Sequence, residues 1–307
     1  MTFALDAALS PYPNLDTIVA AVLDHWPQHR PFAVRHFSTC TPERLAFLDL
    51  LSKRALALIG DDLPRYGADY KWMCNFFLKY EMQFRRNKGV EHTDFASIHE
   101  KFYKNHEQMG QYMRGLMISQ LLWRQHAGAA AFFAQRFIPM LKEGYDYLEI
   151  GPGHGLWLSF AATDPRCASL TGWDVAEASL GLTRRGLASM GIDRPITLDL
   201  QDVCAAPQAR ARFDAVVISQ VLELVSSPGD AVAHLGASLR PGGLLFINAP
   251  TRLVAPDHIR QWKDYREVDA LVTAAGMDVV ARDLVTPEQD QSTDTHGYSY
   301  VVIARKR

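Results

Sequence analysis

Between residues 147 and 155 the chain reads Tyr-Leu-Glu-Ile-Gly-Pro-Gly-His-Gly, which sets three glycines where an apolar strand must turn into a helix. Gly151, Gly153 and Gly155 let the backbone turn tightly and approach a ligand, because no Cβ stands in the way. Such a loop marks a nucleotide-type cofactor site, and its spacing narrows the ligand. A dinucleotide fingerprint, G-x-G-x-x-G, needs a glycine where this chain has Leu156. A phosphate cradle needs Lys-Ser or Lys-Thr after the glycines, and neither follows. What remains is E-x-G-x-G-x-G, with Glu149 as its acid.

Further strand-like runs follow in the order an open α/β sheet requires. Residues 169–174 end in Asp174, where α/β cofactor folds set a carboxylate that accepts hydrogen bonds from ribose hydroxyls. Residues 196–200 run into Gln201 and Asp202, and residues 213–219 run into Gln-Val-Leu-Glu-Leu-Val at 220–225. Arg-Pro-Gly-Gly at 240–243 then turns the chain into a buried strand over 244–248. Together with the glycine loop, this set resembles the class I S-adenosylmethionine-dependent methyltransferase superfamily over about residues 145–307.

The resemblance implies S-adenosyl-L-methionine as cofactor, with its amino acid part against the glycine loop. It implies cofactor contacts at Glu149, Gly151, Pro152, Gly153 and Gly155, and at Asp174 and Val175 after the second strand. It adds Asp202, facing the adenine amino group, with Val203, and then Ser219 and Gln220 after the fourth strand. Residues 213–224 are similar to the family's F-D-x-V-x-x-x-x-V-L-E-H, with Leu224 in place of the usual histidine.

The last two strand-like runs, 278–285 and 297–304, are separated by a segment, 286–296, without a helical apolar period. A parallel crossover needs a helix, so these two strands are expected to pair antiparallel. The fold class that follows is α/β: a seven-stranded class I methyltransferase sheet with helices on both faces and an antiparallel edge strand, preceded by a mostly α-helical N-terminal lobe.

Composition excludes several functions. With 32 basic against 34 acidic residues the net charge is −2, which gives no footprint for a nucleic acid substrate. Cys40, Cys74, Cys167 and Cys204 are scattered without C-x-x-C or Cys/His spacing, so no metal is expected. Free thiols, no leader-like start and no apolar run near the ~20 residues of a membrane span point to a cytoplasmic protein whose membrane contact, if any, is peripheral.

A domain boundary is expected near 130: a helical substrate or lid domain over 1–130 and an S-adenosylmethionine-binding domain over 131–307. Helical apolar periods run over 15–25, 42–59, 70–86, 95–123 and 128–141, and Thr41 before Pro42 is a cap followed by a first-turn proline. On the helix that includes 103–113, Tyr103, His106 and Met113 share a face, alternatively lid or core filler. Small-molecule methyltransferases cover their cofactor with such a helix, which implies contacts from Tyr103 and Tyr112. Trp72, Phe76, Phe77, Tyr80 and Phe84 form an aromatic ridge ending in Arg85 and Arg86, either helix packing or an apolar tunnel with a cationic mouth.

For a proton acceptor His258, in Ala-Pro-Asp-His-Ile, comes first, as a base or as part of a cap on a helix from 259; His106 is second and His296 third. Residues 70–126 loosely resemble bacterial synthases of 3-hydroxy fatty acid methyl esters, which are quorum signals. That resemblance implies carboxyl methylation of an apolar small-molecule acid, with Arg85, Arg86 or Arg114 holding the carboxylate. The alternatives are a phenol or amine methyltransferase using His258 or His106 as base, and a non-catalytic cofactor-binding protein. A homodimer is compatible with the sequence.

Overall fold

The computed structural model describes residues 4–87, 106–205, 210–287 and 297–307. The chain forms two compact units: Met1–Ala131 with Val254–Asp257 and Thr286–Ser292, and Phe132–Leu253 with His258–Val285 and Thr293–Arg307.

Over residues 4–87 and 106–132 the chain is mostly helical: α1 (Leu5–Leu9), α2 (Pro13–His25), α3 (Arg30–Phe37), α4 (Pro42–Ile59), α5 (Leu63–Asn87), α6 (His106–Leu122) and α7 (Arg124–Phe132). Helix α4 shows how sequence sets an element. The Thr41 hydroxyl accepts from the Arg44 amide at 3.3 Å and Pro42 occupies the first turn. Leu45, Leu48, Leu51, Ala55 and Ile59, spaced by three or four, are buried. Thr41→Ala is expected to lower stability by about 1 kcal/mol in urea denaturation. The expected helix over 128–141 starts earlier, at Arg124, and continues as a π-turn over Phe133–Phe137.

The second unit is a seven-stranded sheet: β1 (Tyr145–Ile150), β2 (Cys167–Asp174), β3 (Thr197–Leu200), β4 (Phe213–Ser219), β5 (Leu239–Thr251), β6 (Met277–Val285) and β7 (Tyr298–Lys306). Its order is β3-β2-β1-β4-β5-β7-β6. Strands β1 to β5 run parallel, and β7 lies antiparallel to both neighbours. The reversed strand is therefore next to the edge, and β6 forms the edge itself.

Strands β1, β4 and β5 are largely buried on both faces, as central parallel strands are. Leu148, Ile150, Val216, Ile218, Leu245 and Ile247 share a core with Val232 and Leu235 of α10 (Pro228–Ser238) and Val268 and Val272 of α11 (Tyr265–Ala274), the helices being numbered after α8 (Leu158–Ala162) and α9 (Glu177–Ser189). The ring of Phe246 instead meets Phe133, Phe137 and Trp157 at centroid distances of 5.3, 5.4 and 5.8 Å. This rigid sheet presents the carboxyl ends of β1 to β5, where ligands bind in open α/β folds.

Candidate functional site

The glycine loop leaves β1 in a conformation that side chains disfavour: Gly151, Gly153 and Gly155 have φ of +62°, +53° and +79°. A Cβ on Gly151 would come within 2.8 Å of Val221 Cγ2, whereas one on Gly153 would meet no atom within 4 Å. Gly151 is thus required by packing, and Gly153 keeps open a cradle that a Cβ would fill. The loop is held on both sides. The Gly151 amide donates to the Trp173 carbonyl at 2.8 Å, and the Thr183 hydroxyl of α9 donates to the Gly153 carbonyl at 2.6 Å. Thr183→Val should weaken S-adenosylmethionine binding about fivefold, the worth of about 1 kcal/mol for one hydrogen bond. Titration calorimetry reads this, and unchanged affinity would show that the loop holds itself.

Glu149 lies behind the loop, only 4% exposed, and burial pushes its carboxyl up to about 8. The Tyr147 hydroxyl donates to its Oε2 at 2.7 Å, which opposes that shift in part. Asp174 closes β2 with its carboxylate already oriented, accepting from the Ala176 amide at 2.9 Å and the Ser179 hydroxyl at 2.5 Å. Val175 beside it is exposed. Asp202 accepts from the Cys204 amide at 2.8 Å, while the Val203 side chain packs into the core and is not open to a cofactor.

Strand β4 ends opposite Asn248, and β5 runs on three residues further to Thr251. The Asn248 amide group donates to Ser219 Oγ at 3.0 Å, and the Gln220 amide donates to the Asn248 carbonyl at 2.9 Å. Gln220 and Arg252, the residues just after β4 and β5, both have φ of +56°, so three neighbouring strands in the order β1, β4, β5 end in a left-handed residue. Strain of about 1–3 kcal/mol at a non-glycine residue clusters at ligand sites.

His258 is half-buried in the loop after β5, where the amides of Ile259 and Arg260 both donate to the Glu223 carbonyl at 3.0 Å. No helix starts at 259, contrary to the cap reading of Asp257 and His258. The helix begins at Tyr265, because Asp264 and Glu267 make a reciprocal capping box that satisfies its first amides. His154, inside the glycine loop, is held neutral, lowered to about 4 by burial, and its Nδ1 accepts from the Leu156 amide at 3.3 Å.

Several candidates belong to the helical unit and are engaged there. Tyr112 is buried, stacks on Phe77 at 5.8 Å and donates to Asp257 Oδ1 at 3.1 Å. Arg114 donates through Nε to Asp69 at 2.5 Å, and the exposed Arg85 pairs with Glu81 one turn back at 2.6 Å. Arg86 is exposed. Of the aromatic ridge, Trp72 stacks on Phe76 at 5.1 Å and Phe77 meets Trp123 at 5.6 Å, which is helix packing. Tyr103, His296 and the side chain of His106 lie outside the described residues.

Sequence reasoning missed Thr183, Asn248 and the Tyr147–Glu149 pair. Only the last had a local signal, since residues two apart on a strand share a face. A groove of about 430 Å³ runs along β6, but its charges are paired among themselves, Arg282 with Asp269 and Arg307 with Asp278.

Residues 122–279, half of the chain, match the family of methyltransferase domains. The chain belongs to this family. Its cofactor is S-adenosylmethionine, and the open cradle at Gly153 fits that assignment. The chain is 31% identical over 112 residues to a ubiquinone biosynthesis O-methyltransferase of Stutzerimonas stutzeri (strain A1501), covering 36% of this chain and 46% of that one. It is 31% identical over 135 residues to the enzyme of that name from Methylocella silvestris, covering 44% and 49%. The chain thus spans about half the length of the curated relatives it matches.

Among solved structures, a geranyl diphosphate methyltransferase in complex with GPP and sinefungin aligns with a TM-score of 0.51 at 16% identity, covering 64% of this chain and 84% of that one. The [4+2]-cyclase SpnF aligns with a TM-score of 0.50 at 18% identity, covering 60% and 83%. At such identities these two show the fold alone, which is the class I methyltransferase fold. Among the described residues no group of three or more His, Cys, Asp or Glu could hold a metal ion, and no helix is long and apolar enough to cross a membrane.

Proposed function

We propose that this methyltransferase methylates an oxygen of a small organic acceptor. The observation that carries the reading is the open cradle at Gly153, in the loop that follows Glu149, with the pre-oriented carboxylate of Asp174 closing the neighbouring strand β2. The relatives named for O-methylation favour oxygen over nitrogen as the nucleophile. When bound, the cofactor supplies an electrophilic methyl on a sulfonium, whose charge is neutralised as the nucleophile approaches. The protein's contribution is then alignment and exclusion of water. Gly151, Gly153 and Gly155 would hold the amino acid part of the cofactor, Asp174 the ribose and Asp202 the adenine.

A carboxylate acceptor is ionised at neutral pH and needs no base, whereas a phenol does. We assign the proton to His258 for a phenolic acceptor. His154 is unsuited, because its Nδ1 is engaged and its low basicity keeps it neutral. No relative reported above is a fatty acid ester synthase, so carboxyl methylation of a 3-hydroxy acid to a quorum signal rests on the resemblance of residues 70–126 alone. For that acceptor the resemblance offers Arg85, Arg86 and Arg114 as carboxylate partners, and Arg114 already pairs with Asp69.

The test is incubation with methyl-labelled S-adenosylmethionine and an organic cell extract, with products identified by mass spectrometry. A label on a phenolic oxygen, lost in His258→Gln with cofactor affinity intact, supports the phenol reading. A base-hydrolysable label establishes a carboxyl ester. A label on nitrogen overturns oxygen methylation.

A further inference from the structure

We infer that Gln220 and Asn248 form a seat for the methyl acceptor that reads two of its oxygens, one as hydrogen-bond acceptor and the other as donor. The inference rests on the oxygen-methylation reading and names its acceptor class. Two independent observations carry it. First, Gln220 Nε2 and Asn248 Oδ1 are both buried and have no hydrogen-bond partner among the described residues, although Asn248 is only 2% exposed. A buried amide donor and a buried amide acceptor are costly to leave unpaired, and in native proteins such groups await a ligand or water. Second, Gln220 holds a left-handed φ of +56° where glycine would be at ease.

The two residues stand on adjacent strands, Gln220 just past the end of β4 and Asn248 three residues before the end of β5, since the Gln220 amide donates to the Asn248 carbonyl and Ser219 pairs with Asn248 in register. The ends of β1, β2 and β3 carry the groups assigned to the cofactor. The ends of β4 and β5 come next in the sheet, on the side where the methyl must leave. An unpaired donor just past β4 and an unpaired acceptor on the neighbouring strand β5 fit an acceptor with two nearby oxygens: the first takes the Gln220 N–H, and the second, a hydroxyl, donates to Asn248 Oδ1. A 3-hydroxy acid and a catechol both have this chemistry, whereas a plain fatty acid or a phenol has half of it. The Gln220 side chain is thereby moved from cofactor contact to acceptor contact.

The test uses the full chain with S-adenosylhomocysteine. Calorimetric binding of 3-hydroxydecanoate is compared with decanoate, and of catechol with phenol, beside turnover of each with S-adenosylmethionine. A preference of about tenfold or more for the two-oxygen member of one pair is expected, because a site built for a hydroxyl rejects the analogue lacking it. That preference should vanish in Gln220→Gly and in Asn248→Ala, with S-adenosylmethionine affinity within about twofold of the parent. Gln220→Gly should be no less heat-stable, since glycine relieves the left-handed φ, so it carries the test even where Asn248→Ala fails to fold. The inference is overturned by no preference in either pair, by a preference that survives Gln220→Gly, or by loss of cofactor affinity in that variant. Preference in binding without methyl transfer would support the seat and rule out oxygen methylation of that probe.

Discussion

Gly153→Val is expected to weaken S-adenosylmethionine binding by more than about 100-fold while the protein stays folded. The valine side chain meets no protein atom near its Cβ, so it enters the cradle itself. A left-handed φ of +53° adds strain of about 1–2 kcal/mol, which a domain of ordinary stability survives. Gly151→Val should behave differently and lose stability, because its Cβ would press on Val221 at 2.8 Å. Calorimetry and thermal melts on the two variants separate the roles. Unchanged affinity in a folded Gly153→Val protein would show that the cofactor binds elsewhere.

The second large effect is a fall in stability with rising pH that belongs to Glu149. Its folded carboxyl titrates near 8, far above the range of an unfolded glutamate. Below that ordinary range both states hold the proton. As pH rises the unfolded chain ionises first, so folding loses about 1.4 kcal/mol per pH unit until the folded carboxyl also ionises near 8. Four histidines act in the opposite sense. His29, His36, His126 and His154 are lowered from 6.5 to about 4, so their contribution is present above 6.5 and is lost as pH falls toward 4. Between pH 6.5 and 8 the unfolded histidines shed their last protons and add stability in the opposite sense, so the Glu149 share, a loss of about 2 kcal/mol, is the difference between the parent and Glu149→Gln across that window. Urea titrations should show the parent losing about that much relative to the variant. An equal pH dependence in both proteins would assign the proton to another group.

Much of this fold is legible in the sequence, for physical reasons that differ between elements. Strand β4 has the expected limits, since an unbroken apolar run beside a cofactor loop is what a central parallel strand requires. The cap at Thr41 is legible because capping is local. The position of β7 between β5 and β6 is not, because alternation fixes a strand's faces but not its neighbours. Helix α6 is ambiguous for another reason. Its polar and apolar side chains are mixed around the axis, so nothing in the sequence said that Tyr112 turns inward while Met109 and Met113 remain half-buried. The start of α11 was open to view, however, in Asp264-x-x-Glu267, a stronger signal than Asp257 and His258. The glycine loop was local and legible. The carboxamide pair at Gln220 and Asn248 depends on the end of β4 meeting β5 across the sheet, which only the fold reveals.

The strand order also bears on how the sheet is assembled during synthesis. The ribosome makes β7 after the other six strands, yet β7 supplies the hydrogen bonds to one side of β5 and to β6. Until it emerges, the apolar Leu245, Phe246 and Ile247 lie on an open flank, and β6 has no partner. The sheet can grow from β1 outward while translation proceeds, but this flank is a late, long-range closure of the kind that exposes a nascent chain to aggregation. Chaperone dependence in the cell should accordingly concentrate on that last step, with the glycine loop and its neighbours already formed.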